Sequence, residues 1–89
     1  MIKHTIRISN KLGLHARASA KLTKLAGSFP CEVFMTRNGR RVNAKSIMGV
    51  MMLAAGLGAD VELEVSGDQE EACLQALVQL IDDKFGEGE

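Results

Sequence analysis

Hydrophobic and polar positions change period several times along the chain. Ile2, Ile6 and Ile8 alternate with Lys3, Thr5 and Arg7, the period of a strand with one wet face. His4 falls on the apolar side of that strand, at its edge, and is assigned no chemistry. From Ala16 to Ala26 the period becomes helical. Ala18, Leu22, Leu25 and Ala26, with Phe29 just beyond, form the stripe to be buried, and Arg17, Lys21 and Lys24 line another face. Gly27 suits the position after a helix, and Pro30 prevents continuation. Cys31 to Arg37 reads as a strand, Asn38-Gly39 as a two-residue hairpin turn, and Arg40 to Asn43 as the return strand. Ser46 is placed to cap a short helix reaching about Leu53, and a glycine-containing loop spans Ala54 to Ala59. Val61, Leu63 and Val65 then alternate with Glu62, Glu64 and Ser66. Asp68 with Glu71 resembles a capping box for a last helix, whose buried stripe would be Ala72, Ala76, Leu77, Leu80 and Ile81. The glycine-rich stretch Gly86-Glu87-Gly88-Glu89 is expected to fray.

This order, β-α-β-β-α-β-α, predicts an α+β fold in a single domain spanning residues 1–89. The helices should cover one face of a four-stranded antiparallel sheet and leave the other to solvent. A chain of this size buries somewhat over about 60% of its unfolded surface, enough for one core.

Charge narrows the choice of partner. Eleven basic and eleven acidic residues cancel, so no global field points to nucleic acid or to an anionic membrane. Three Phe and no Tyr or Trp leave no platform for stacking bases, so no nucleic acid is expected as a partner. The longest apolar stretch, Ile47 to Ala59, is broken by Gly49, Gly56 and Gly58 and is shorter than the roughly 17 residues a membrane span requires. No membrane insertion is expected. The alternating start is unlike a signal peptide, which favours a cytoplasmic location. Cys31 and Cys73 form no C-x-x-C pair and match no zinc spacing with His4 and His15, so neither metal nor cofactor is expected.

One short stretch carries candidate chemistry. Gly13-Leu14-His15-Ala16-Arg17-Ala18-Ser19-Ala20 places a histidine between a flexible glycine and an arginine, where a helix begins. A helix starting at Ala16 makes His15 its N-cap, and the first-turn N–H groups then point at whatever the imidazole carries. With Arg17 they make a site for a dianion, and the imidazole is a nucleophile able to hold it. This is the layout of a phosphohistidine site. A second feature is the short helix from Ser46. Ile47, Met48, Val50, Met51, Met52 and Leu53 surround its axis almost completely, more than one core can cover, and Met-rich apolar patches serve as adaptable docking surfaces.

Asn10-Lys11-Leu12-Gly13-Leu14-His15-Ala16-Arg17 resembles the active-site signature of HPr, the bacterial histidine-containing phosphocarrier family, and Asn43-Ala44-Lys45-Ser46-Ile47-Met48-Gly49-Val50-Met51 resembles that family's regulatory-serine segment. Where the family often has proline after the arginine, this chain has Ala18, which also suits a first helical turn. The resemblance implies an open-faced β-sandwich with strand order 1-4-2-3. It implies a phosphoryl carrier, not an enzyme, that takes a phosphoryl group on Nδ1 of His15 from phosphoenolpyruvate-charged enzyme I and passes it to an enzyme IIA. Arg17 would stabilise the phosphoryl, and Ser46 would be phosphorylated by an HPr kinase/phosphorylase. Docking would fall on Leu14, Ala16, Ala20, Lys21 and Lys24 around His15, and on Ile47, Met48 and Met51. A transiently docking carrier needs only to be a monomer. The competing reading is a regulatory module of the nitrogen-branch type, whose phosphorylation state controls partner proteins in place of sugar uptake.

Overall fold

A computed structural model describes residues 1–88 of the chain. Strands β1 (Ile2–Arg7), β2 (Glu32–Arg37), β3 (Arg40–Asn43) and β4 (Asp60–Ser66) form one antiparallel sheet in the order β1-β4-β2-β3. Helices α1 (Ala16–Gly27), α2 (Ile47–Met52) and α3 (Glu70–Asp82) and a final 3-10 turn, Lys84–Gly86, complete the chain. This is the expected open-faced sandwich with its expected strand order.

Period 2 in β4 sorts its residues cleanly. Val61, Leu63 and Val65 are buried beneath the helices, while Glu62, Glu64 and Ser66 face outward. On that outer face the Arg41 guanidinium donates to Glu64 at 2.8 Å and lies 3.7 Å over the ring centre of Phe34, so one charged group of β3 reaches both β4 and β2. Asn38 and Gly39 both have positive φ, 51° and 80°, as a tight hairpin turn requires. The core fills with Ile6, Ile8, Leu22, Val33, Met35, Leu63, Leu77 and Ile81, among others, between the sheet and the helix layer.

Several local expectations are corrected. The α1 stripe comprises Ala18, Ser19, Leu22, Thr23 and Ala26, with Leu25 only half-buried. Gly27 is the last helical residue and not the one after it, because Ser28 closes the helix, its hydroxyl donating to the Leu25 carbonyl at 2.6 Å. The Asp68–Glu71 capping box does not form. Gln69 enters the left-handed region and becomes the N-cap of α3, and it is Glu70 that accepts from the Gly67 N–H at 3.1 Å. The buried face of α3 is accordingly Cys73, Leu77 and Ile81, and Ala72 is exposed. His4, on the edge strand β1, is exposed beside α3.

The glycine-rich end is the largest departure. Phe85 is buried, 1% exposed, and anchors the segment that was expected to fray, while the Lys21 ammonium donates to its carbonyl at 2.6 Å. Gly86 therefore lies beside Lys21 of α1 and Glu87 against His15 and Asn10, while Gly88 is exposed; Glu89 lies outside the described residues. No helix is long and apolar enough to cross a membrane among the described residues.

Candidate functional site

The loop from Ser9 to Leu14 delivers His15 to the start of α1, and it is pinned at Ser9, Asn10, Gly13 and Leu14. Asn10 is fully buried and its amide donates to the Gly13 carbonyl at 2.8 Å. The Leu14 N–H donates to the Ala55 carbonyl at 2.9 Å, tying this loop to the one that follows α2. Gly13 sits at φ +65°, and a Cβ there would stand 2.5 Å from the Ala55 oxygen and 2.6 Å from the Gly56 Cα. Only glycine permits that approach and that backbone conformation.

His15 is the N-cap of α1, as expected, with extended backbone (φ −72°, ψ 179°). Its side chain does not cap the helix, and no acidic residue occupies the first turn, so that end of α1 keeps its N–H groups and partial positive charge facing outward. The Ser19 hydroxyl instead reaches back to the Leu14 carbonyl at 3.0 Å and secures the loop. Arg17, on the exposed side of the first turn, makes no hydrogen bond among the described residues. It lines, with Lys11, Leu12, His15, Ala16, Gly86 and Glu87, a shallow depression over the imidazole.

Glu87 was not foreseen as part of this site. One carboxylate oxygen lies 2.5 Å from His15 Nε2, and the other accepts from the Asn10 amide at 3.1 Å. Burial pushes the Glu87 carboxyl up. The hydrogen bonds from His15 and Asn10, with the positive charges of His15 and Lys21, outweigh burial and hold it below the usual carboxylate range. An ionised carboxylate only accepts, so Nε2 is the donor of this pair. In the neutral ring the lone pair is then on Nδ1, which has no partner among the described residues. The two amide acceptors of Asn10 likewise orient its side chain, leaving its buried Oδ1 without a partner among the described residues.

Of the other residues singled out from sequence, Ala16, Ala20, Lys21 and Lys24 are exposed on α1 around His15. Lys21 is already engaged by the Phe85 carbonyl. Leu14 is corrected: at 5% exposure it belongs to the core and anchors the loop, so its side chain is withheld from any docking partner. Ser46 caps α2 as expected, its hydroxyl oxygen accepting from the Gly49 N–H at 3.1 Å. Only Val50 of α2 is buried, and Ile47, Met48, Met51 and Met52 are 46%, 70%, 39% and 57% exposed. Arg37 and Arg40 hold the other end of this helix by donating to the Leu53 and Met52 carbonyls at 3.0 and 3.1 Å. Neither cysteine offers a nucleophile: both are free and buried, and burial together with a hydrogen bond to Cys31 pushes the Cys73 thiol up to about 12. Among the described residues no three His, Cys, Asp or Glu side chains gather as metal ligands.

Residues 2–83 match the family model described as the PTS HPr component phosphorylation site. The chain is 62% identical over 89 residues to the phosphocarrier protein HPr of Cupriavidus necator, covering all of both chains. Among solved structures it is similar to an HPr from Thermoanaerobacter tengcongensis (TM-score 0.95, 46% identity, 98% of each chain covered). It is also similar to a structure described as an HPr dimer from the same organism (TM-score 0.79, 46% identity, 98% of this chain and all of that one).

Proposed function

The chain belongs to the HPr family of phosphotransferase-system phosphocarriers, proteins that carry a phosphoryl group without being enzymes, and on that premise we propose that His15 is its phosphoryl acceptor. Enzyme I supplies the phosphoryl group to Nδ1, and an enzyme IIA receives it. The observation that carries this reading is the uncapped start of α1: a nucleophilic ring stands where outward-facing N–H groups and Arg17 can receive a dianion. The depression is shallow and open, so it cannot exclude water or hold a second substrate, and the chemistry is completed in the partners' active sites. Held by a helix end and one exposed guanidinium, each contributing about 1 kcal/mol, the phosphoryl stays transferable. The exposed residues of α1 and α2 surround this point and form the docking face.

Phosphotransfer from labelled phosphoenolpyruvate through purified enzyme I tests the reading, with His15→Ala beside the wild type. Label on the wild type alone, lost in acid and stable in base, is expected. An unlabelled wild type, with the same enzyme I active on another carrier, overturns it.

Ser46 supports a second, regulatory reading, because its exposed hydroxyl lies at the edge of the apolar patch formed by Ile47, Met48 and Met51. Phosphorylation there by an HPr kinase adds a charge of about −1.5 to −2 to a surface whose docking requires desolvation. Transfer from enzyme I to Ser46→Asp should therefore be slower at limiting carrier concentration. Equal rates would remove the inhibitory role.

A further inference from the structure

The segment after α3 is organised more elaborately than docking alone demands. Phe85 and the Lys21–Phe85 hydrogen bond already fix it to the core and to α1. Beyond them the chain turns through Gly86 at φ +75° and carries Glu87 back over the imidazole. There a carboxylate, its side chain only 15% exposed, is held between His15 Nε2 and the fully buried Asn10. An apolar side chain would cover the ring without the cost of desolvating a charge.

We infer that Glu87 is a positioning residue for phosphoryl transfer: by accepting from Nε2–H it presents the Nδ1 lone pair and retains the ring proton while the phosphoryl is carried. This rests on His15 being the acceptor. When Nδ1 attacks phosphorus, the N–P bond forms as the bond to the donor breaks, and the ring becomes a cation with its proton still on Nε2. On onward transfer the N–P electron pair returns to Nδ1, and a neutral imidazole leaves. Were the Nε2 proton lost to solvent in between, the leaving group would be an imidazolate, a far poorer one. A carboxylate against Nε2 opposes that loss, and it stands on the side of the ring away from Nδ1. The other charged groups lining the depression, Lys11 and Arg17, and Lys21 close to Glu87, are cationic and act in the opposite sense, so Glu87 is the described group there that favours the proton.

The test compares wild type, Glu87→Gln and Glu87→Ala, each labelled through enzyme I, by the rate of phosphate release against pH. Release from a phosphohistidine slows as the ring proton is lost, so each profile has a midpoint. Removing the carboxylate charge should move that midpoint down by about 0.5–1 pH unit, and slow release at the wild-type midpoint about two- to fivefold. Glu87→Gln preserves size and a hydrogen-bond acceptor, so its shift reports charge and not packing. Three labelled proteins with superimposed profiles overturn the inference and leave the carrier reading standing. A shift in Glu87→Ala with Glu87→Gln on the wild-type curve overturns it too. A wild type that takes no label overturns both.

Discussion

The starts of α1 and α2 are built from the same parts and used in opposite ways. Each helix begins at a polar residue in extended backbone conformation, His15 in one case and Ser46 in the other. Ser46 turns its side chain onto its own helix and takes the Gly49 N–H, so that end is satisfied locally. His15 turns away. Its ring is held by Glu87, and the first-turn N–H groups stay open. A capping side chain consumes the feature that makes a helix end useful to an incoming anion. The uncapped end therefore needs its order from elsewhere, and Gly13, Asn10, Ala55 and Glu87 supply it.

If the α1 start depends on tertiary pinning, its weakest substitution should be where two backbones meet. Gly13→Ala forces a Cβ into the Ala55 carbonyl at a positive φ, and is expected to cost about 3 kcal/mol in denaturant unfolding and to slow labelling of His15 as the loop shifts. A stability within 0.5 kcal/mol of wild type (roughly the scatter of a neutral change) would show that the loop adapts. Arg17, in contrast, makes no hydrogen bond among the described residues, so Arg17→Ala should leave stability unchanged. Transfer with enzyme I and with enzyme IIA should slow about fivefold, the rate equivalent of about 1 kcal/mol. Unchanged rates with both partners would take the phosphoryl contact away from it.

At the locally satisfied end the pattern inverts. Ser46→Ala should cost about 1 kcal/mol through the lost cap, whereas Ser46→Asp, which can still accept from the Gly49 N–H, should be nearly as stable as wild type. A Ser46→Ala protein as stable as wild type in thermal unfolding would mean that the cap contributes nothing. The smallest effect expected belongs to Glu87 as a stabilising group. Its carboxyl is held low in the folded protein, so its contribution is present above the ordinary carboxylate value and is lost as pH falls through the folded one. Glu64 and Glu70, also held low by their own hydrogen bonds, fade over the same acid range, so the difference between wild type and Glu87→Gln isolates Glu87. The two stability curves should differ near neutrality and converge as pH falls through the depressed folded value of the Glu87 carboxyl. Curves that stay parallel into acid would refute the assignment of that shift to Glu87.

Much of this molecule is local and was legible as such. Alternation in β4, the Asn38-Gly39 turn, the helical period from Ala16 and the Ser46 cap each depend on a few adjacent residues and their backbone preferences, and each stands where the pattern placed it. His15 could be picked out because a nucleophile beside a helix start is itself a local arrangement. The surplus of apolar residues in α2 was legible too, since a six-residue helix with one buried position must expose the rest.

What local pattern left undetermined shares one physical cause, which is contact across long separations. The strand order came from family resemblance, because alternation marks a strand's faces and not its neighbours. Leu14 looked like a docking residue until the Ala55 carbonyl drew its backbone, and its side chain with it, into the core. Asn10 lay inside the motif, but its burial depends on residues from far along the chain. Glu87 had no periodicity, no cap and only glycine neighbours to mark it; Phe85, a lone aromatic just past a helix, was the available hint. Sequence by itself determined the main elements, the place of His15 at a helix start and the Ser46 cap, because these depend on interactions within a few residues. Tertiary structure alone supplied the physical reason that Nδ1 of His15 is the free nitrogen, because the carboxylate that engages Nε2 approaches from 72 residues away.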